Sequence, residues 1–271
     1  MQNTVALSNG VEIPLLGLGV YQSAPGETTY NATKIALELG YRHIDTARAY
    51  RNEADVGRAL RDSGVPRTEV FITTKLWTSD QGYDTTLRAC EKSLKELQLD
   101  TVDLYLIHWP VEHKRKDSWR AMETLFAEGK CRAVGVSNYT IKHLDEVLQS
   151  AKIVPHVNQV EFNPFLNQKK LLAKCQQHGI LLEAYAPLAQ AQRMSHPVLV
   201  ATAKKYGRTP AQIMLRWAVQ QDIVVIPKSV RRERIEENGK IFDFTIDAAD
   251  MAALDKLDEG LRTCWDPTTQ N

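Results

Sequence analysis

Eight times along the chain a short β-branched or apolar run gives way to an amphipathic stretch, and this alternation limits the fold more than any other feature. The runs 15–19, 43–45, 70–75, 102–108, 133–137, 157–161, 181–185 and 224–226 read as strands. The stretches 28–39, 53–63, 85–97, 118–128, 141–150, 168–178 and 210–220 read as helices, and another begins near Arg231. Gly40, Gly64, Gly129 and Gly179 stand where helix C-caps belong. Several strand runs are apolar throughout, such as Leu104-Tyr105-Leu106-Ile107, which suits parallel strands buried on both faces. Ahead of them, 5–7 and 11–13 flank Ser8-Asn9-Gly10 and read as a hairpin. Eight strand–helix units in 271 residues predict an α/β chain folded as a (β/α)8 TIM barrel with an N-terminal β-hairpin, a single domain over 1–271. The rival, a doubly wound sheet, lacks its phosphate fingerprint, because Gln22 stands where Gly17-Leu18-Gly19 needs a third glycine.

Several functional classes fall away early. Lys and Arg total 34 against 33 Asp and Glu, a net charge of +1, which gives no electrostatic footprint for nucleic acid or an anionic membrane. No apolar run is long enough to span a bilayer, and Met1-Gln2-Asn3-Thr4 opens no secretory signal, so a cytoplasmic protein is expected. Cys90, Cys131, Cys175 and Cys264 have neither disulfide-scaffold nor C-x-x-C spacing. His108, Glu112 and His113 are misplaced for zinc, so no metal is expected. Tyr139 stands where Gly135-Val136-Ser137-Asn138 would need glycine to form a nucleophile elbow.

In such a barrel the chemistry sits where strands end. Here they end on Gly19, Asp45, Lys75, His108, Ser137-Asn138, Gln159, Tyr185 and Lys228, a polar rim on an apolar barrel. Asp45, Tyr50, Lys75 and His108 form a chemical set. A tyrosine ionises near about 10, and a neighbouring ammonium favours the phenolate, so Lys75 is expected to lower Tyr50. Asp45 would hold Lys75 charged and in place, and His108 could donate a hydrogen bond to a carbonyl oxygen beside the tyrosine hydroxyl. The set reads as a proton donor with a polarised carbonyl and no nucleophile.

These residues lie in recognisable blocks: Gly40-Tyr41-Arg42-His43-Ile44-Asp45-Thr46-Ala47-Arg48-Ala49-Tyr50, Ile72-Thr73-Thr74-Lys75-Leu76-Trp77, Val102 to Pro110, Gly135-Val136-Ser137-Asn138 and Ile226-Pro227-Lys228-Ser229-Val230. In order and over nearly the full length, the chain resembles the aldo-keto reductase superfamily, nearest its compact diketo-gluconate reductase, prostaglandin F synthase and glyoxal reductase group. The resemblance implies NADPH-dependent reduction of a carbonyl. Tyr50 would be the general acid, tuned by Lys75 and Asp45, and His108 would orient the substrate. It places the nicotinamide amide on Ser137, Asn138 and Gln159 and the ring against Tyr185. Gly19, Val20, Asp45, Ala186, Leu188 and Val230 are implied as further cofactor neighbours.

Lys228, Arg231, Arg232 and Arg234 crowd four cations into seven residues at a helix start, a common phosphate-binding place in barrels. The resemblance assigns Lys228, Ser229 and Arg234 to the 2′-phosphate, hence NADP(H), and Glu237 and Asn238 to the adenine; Arg231 and Arg232 match no fixed contact. Tyr21, Trp77 and Trp109, with Tyr50 and His108, are expected to wall the substrate pocket, and the tail around Trp265 to close it. The short loop 111–117 suggests an open pocket. One departure stands out: Ala186-Pro187-Leu188-Ala189 replaces the family's Ser-Pro-Leu-Gly, which predicts weaker cofactor binding or faster release. The expected partner is a small carbonyl compound, with the chain acting as a monomer. Two other readings compete. A cofactor-binding regulatory or structural role on the same fold would predict a damaged tetrad. A Schiff-base enzyme would need an uncharged Lys75, which Asp45 opposes.

Overall fold

The computed structural model describes residues 3–270. A two-stranded antiparallel hairpin, β1 (Thr4–Ala6) and β2 (Glu12–Pro14), pairs Val5 with Ile13. Eight parallel strands follow: β3 (Leu18–Gly19), β4 (His43–Asp45), β5 (Phe71–Leu76), β6 (Val102–Ile107), β7 (Cys131–Ser137), β8 (Val157–Glu161), β9 (Leu181–Tyr185) and β10 (Val224–Val225). They lie side by side in chain order. Parallel bridges from Leu16 to Val225 and from Gly19 to Lys228 join first strand to last, so the sheet closes into the expected (β/α)8 barrel. The first strand is shorter than the run 15–19 suggests, because Leu16 contributes one bridge and ladder pairing begins at Leu18.

The helices are α1 (Glu27–Glu38), α2 (Glu53–Asp62), α3 (Tyr83–Leu97), α4 (Arg115–Ala127), α5 (Ile141–Leu148), α6 (Lys169–Gln177), α7 (Pro197–Tyr206), α8 (Pro210–Val219), α9 (Arg232–Gly239) and α10 (Ala248–Asp255). Gly40 and Gly129, at φ +90° and +71°, take the left-handed conformation that ends α1 and α4. Helix α4 starts three residues ahead of the expected 118, because the Arg115 side chain is buried and donates to Pro110 O and Glu146. Helices α7 and α10 were not anticipated. The first opens with Pro197 and closes on Gly207 at φ +62°; in the second, Asp247 accepts a hydrogen bond from the Asp250 N–H.

Strands β5 and β6 are buried at every residue, which their β-branched and aromatic side chains favour once helices cover the barrel. Close approaches need small residues: a Cβ on Gly57 of α2 would lie 2.2 Å from Leu97 O at the end of α3. The consequence for function is that every strand delivers its last residues to one rim. No helix among the described residues is long and apolar enough to cross a membrane.

Candidate active site

Asp45 ends β4 and Lys75 is the penultimate residue of β5; both are buried, Lys75 completely. Lys75 Nζ donates to Asp45 Oδ1 at 2.5 Å and to Thr46 O at 2.9 Å, and reaches the Tyr50 hydroxyl at 3.4 Å. Tyr50 closes a 3-10 turn, Arg48–Tyr50, after which Arg51 takes a left-handed φ of +59°. The buried side chain of Asn52 clamps this turn. It accepts from Thr46 Oγ1 at 2.8 Å and donates to Val20 O at 3.1 Å and Ser23 O at 3.3 Å. His108 follows β6 directly and sets its Nε2 3.5 Å from the Tyr50 hydroxyl. The structure therefore brings the four residues of the proposed set around one hydroxyl.

The expected lowering of Tyr50 does not occur. Burial, and after it the Asp45 charge, pushes the phenol well above its usual range. Lys75 does not reverse this, because its charge is balanced by Asp45 at 2.5 Å. Tyr50 therefore keeps its proton in this site. Burial, then Lys75, holds the His108 imidazole well below its ordinary value, so it is neutral and presents one N–H and one bare nitrogen.

Next to this set runs a belt of polar side chains. Asn138, left-handed at φ +65°, donates to His108 O at 3.0 Å and accepts the Tyr185 hydroxyl at 2.7 Å. Ser137 Oγ donates to Gln159 O at 2.8 Å, and Gln159 Nε2 donates to Asp45 Oδ2 at 2.8 Å. Gly19 and Val20 border the belt: Val20 N donates to Asp45 O, and Gly19 bridges to Lys228. Ala186 and Ala189 take left-handed φ values of +44° and +47°, so the replaced loop keeps a glycine-like path without glycine.

Leu188 lies half-buried on that loop, and the remaining cofactor candidates form a separate group just before and along α9. Lys228, Val230 and Arg234 are exposed, and neither cation has an ion-pair partner among the described residues, whereas Arg232 pairs with Glu38 at 3.0 Å. Ser229 is buried and accepts from Arg231 N at 3.1 Å. Glu237 accepts the Thr209 hydroxyl at 2.6 Å, and Asn238 is buried beside it. Unpaired cations at a helix start suit a phosphate, and the amide-rich belt suits a carboxamide-bearing ring.

Tyr21 lies 5.1 Å from Tyr50 and Trp77 lies 5.2 Å from His108, ring centre to ring centre. Trp265, 64% exposed, leans on Trp77 and Trp109 at 6.4 and 6.0 Å. Two buried carboxyls escaped the sequence reading. Glu161 holds the tail below Trp265 by accepting from Thr263 N and Oγ1 and from Cys264 N. Glu183 bonds Gln159 from below. The signal for Glu183 was an acidic residue in the middle of the strand Leu181–Tyr185, and that for Glu161 its place at the end of Val157–Glu161. No cluster of three His, Cys, Asp or Glu among the described residues could hold a metal ion.

Comparison with known proteins identifies the family of the chain. The family model described as "Aldo/keto reductase family" matches residues 15–259. A glyoxal reductase of Bacillus subtilis (strain 168) is 50% identical over 267 residues, covering 98% of this chain and 97% of that protein. The crystal structure of MGS-M4, an aldo-keto reductase from a Medee basin deep-sea metagenome library, superposes with a TM-score of 0.95 at 46% identity, covering 99% of this chain and 100% of its own. A variant of Gox0644 crystallised in complex with NADPH gives a TM-score of 0.95 at 39% identity, covering 100% of this chain and 99% of its own. With a matching family model, half-identical relatives and the same barrel, this chain belongs to the aldo/keto reductase family.

Proposed function

We propose that this protein reduces small aldehydes and ketones to alcohols with NADPH. The observation that carries the reading is the Tyr50 hydroxyl, 3.4 Å from Lys75 Nζ and 3.5 Å from His108 Nε2, at the mouth of an aromatic-walled rim. NADPH, when bound, supplies the hydride. Lys228, Ser229 and Arg234 would hold its 2′-phosphate and Ser137, Asn138 and Gln159 its carboxamide, with Tyr185 against the ring. Gly19, Val20, Ala186, Leu188, Val230, Glu237 and Asn238 would complete the cradle.

His108, being neutral, donates Nε2–H to the carbonyl oxygen and aims it at Tyr50. Tyr50 then gives its proton to that oxygen as negative charge develops there, a step in which a positioned acid contributes roughly 10²–10⁴-fold. Lys75 stabilises the phenolate left behind, and Asp45 keeps Lys75 charged and fixed. Tyr21, Trp77, Trp109 and Trp265 exclude water from the reacting carbonyl. The half-identical relative named glyoxal reductase supports a short dicarbonyl as the substrate of this chain. We further propose a monomer folded as one domain and working in the cytoplasm.

The test follows absorbance at 340 nm with methylglyoxal and an aromatic aldehyde, for wild type and Tyr50→Phe, with NADPH against NADH. Turnover that prefers NADPH and nearly vanishes in the variant supports the reading. Full activity of Tyr50→Phe would remove Tyr50 as the acid. NADPH binding without turnover across a wide carbonyl panel would shift the protein to a regulatory or structural role.

A further inference from the structure

Below the rim lies a carboxyl group that the mechanism above leaves without a task. Glu183 stands mid-strand on β9 and is completely buried. Its Oε2 accepts from Gln159 Nε2 at 2.9 Å. Its Oε1 has no hydrogen-bond partner among the described residues and lies 3.6 Å from His43 Nε2. No lysine or arginine bonds to it, because Lys75 gives its hydrogen bonds to Asp45, Thr46 and Tyr50. A sealed carboxylate with one amide donor and the Asp45 charge nearby is costly, and a protonated acid is not.

The use of such a group is visible one residue away. Gln159 Nε2 directs one hydrogen to Asp45 Oδ2 at 2.8 Å and the other to Glu183 Oε2 at 2.9 Å. A glutamine amide can turn over, exchanging its oxygen and nitrogen, unless its partners choose between them. With the Glu183 proton on Oε1, which faces His43, its Oε2 can only accept; together with Asp45 Oδ2 it chooses the nitrogen, so Gln159 Oε1 must face elsewhere, and it takes no hydrogen bond among the described residues. Asn138 offers no equivalent freedom. Its nitrogen serves His108 O and Ser137 Oγ, and its oxygen accepts from Tyr185. Ser137 Oγ is likewise occupied, donating to Gln159 O.

We propose that Glu183 is a positioning residue for the cofactor: by taking the second amide hydrogen of Gln159, it fixes Gln159 Oε1 as the free acceptor for the carboxamide NH2 of the nicotinamide. This role rests on reading the site as that of a nicotinamide-dependent reductase. It assigns Glu183 to ring orientation through Gln159, with no contact to the reacting atoms.

The experiment titrates wild type, Glu183→Gln and Glu183→Met with NADP+ and with its 3-acetylpyridine analogue, in which a methyl group replaces the carboxamide NH2. Binding is read from tryptophan fluorescence, and thermal unfolding is recorded alongside. Glu183→Met should weaken NADP+ about tenfold, the worth of one directed hydrogen bond, and leave the analogue nearly unmoved. Glu183→Gln, which can still accept from Gln159, should restore the preference for NADP+. If Glu183→Met does not fold, Glu183→Asp withdraws the acceptor by one methylene and should show the same selective loss. An unchanged ratio between the two ligands, with only a lower melting temperature, would make Glu183 structural and overturn the role. A wild type that binds neither dinucleotide overturns the reductase reading and this role with it.

Discussion

Lys75 and Lys228 are both cations near the ends of barrel strands, yet their surroundings are opposite. Lys75 is sealed, with an ion pair to Asp45 at 2.5 Å and two further oxygens in reach. Lys228 is exposed, as are Arg231 and Arg234, and none of the three has an ion-pair partner among the described residues. In the first region the protein supplies every partner, so the geometry is set before any ligand arrives. In the second region the counter-charge has to come from outside, and salt screens its attraction across a Debye length of about 8 Å. The chemistry is preorganised; the anchoring of the proposed cofactor is held open.

The difference is tested most severely by Lys75→Met. It strands Asp45 in the barrel with Gln159 as its remaining donor, and losing one member of a buried pair costs about 3–5 kcal/mol. Calorimetry should show that loss together with a fall in carbonyl reduction. The double variant Asp45→Asn/Lys75→Met should regain most of the stability and none of the activity. A Lys75→Met protein as stable as wild type would mean that the pair is not sealed.

Both regions were legible in the sequence to different depths. The rim residues Asp45, Lys75 and His108 could be read because apolar runs stop where strands leave the barrel, so each marks its own position. What lies beneath them could not. Glu183 is two residues before Tyr185 and faces the same side of its strand, but it lies below the rim, where a lone carboxylate in an apolar run has no sequence signal of its partner Gln159. The clasp of Glu161 on Thr263 spans 102 residues and has no local signature. The direction of the Tyr50 shift also needed the fold, since it depends on burial outweighing a charge already balanced. Helix α10 was missed because its apolar pattern is weak and its start rests on one Asp247–Asp250 cap.

The buried region should also carry a pH dependence of its own. Burial, and then the Asp45 charge, pushes the Glu183 carboxyl from 4.5 up to about 8. Between those values the folded chain holds a proton that the unfolded chain has released, so stability falls as pH rises. His43 acts the other way: burial, then Lys75, takes it from 6.5 down to about 3, so its effect is complete by pH 6.5. Asp45 and His43 on β4, Lys75 on β5 and Gln159 on β8 face Glu183, while neighbouring β10 adds only Val224 and Val225. From pH 6.5 to 8 wild type should lose up to about 2 kcal/mol, at about 1.4 kcal/mol per unit, and Glu183→Gln should lose much less. Parallel melting curves for the two across that range would show Glu183 ionised in the fold.

The exposed region should respond in affinity alone. Arg234→Ala is expected to raise the NADPH KM about tenfold, leave the NADH KM in place, and move stability by no more than about 0.5 kcal/mol. Raising salt should weaken NADPH in wild type more than in the variant. Equal effects on both dinucleotides would place the 2′-phosphate elsewhere.

Between the two regions runs the loop after β9, where Ala189, Gln190 and Ala191 take left-handed φ values of +47°, +48° and +64° in succession. An L-residue there carries about 1–2 kcal/mol of strain, which glycine would relieve while adding freedom to the unfolded chain. Ala191 is exposed, so trimming its methyl group gives up almost no packing. Ala191→Gly should therefore stabilise the protein by about 0.5–1 kcal/mol, the smallest effect expected here. Ala201→Gly is the control: it is exposed too, but lies inside right-handed α7, where glycine costs about 1 kcal/mol. Opposite signs in thermal melts would show strain held in the loop that joins the sealed site to the open one. Destabilisation by both would show that the left-handed path costs this sequence nothing.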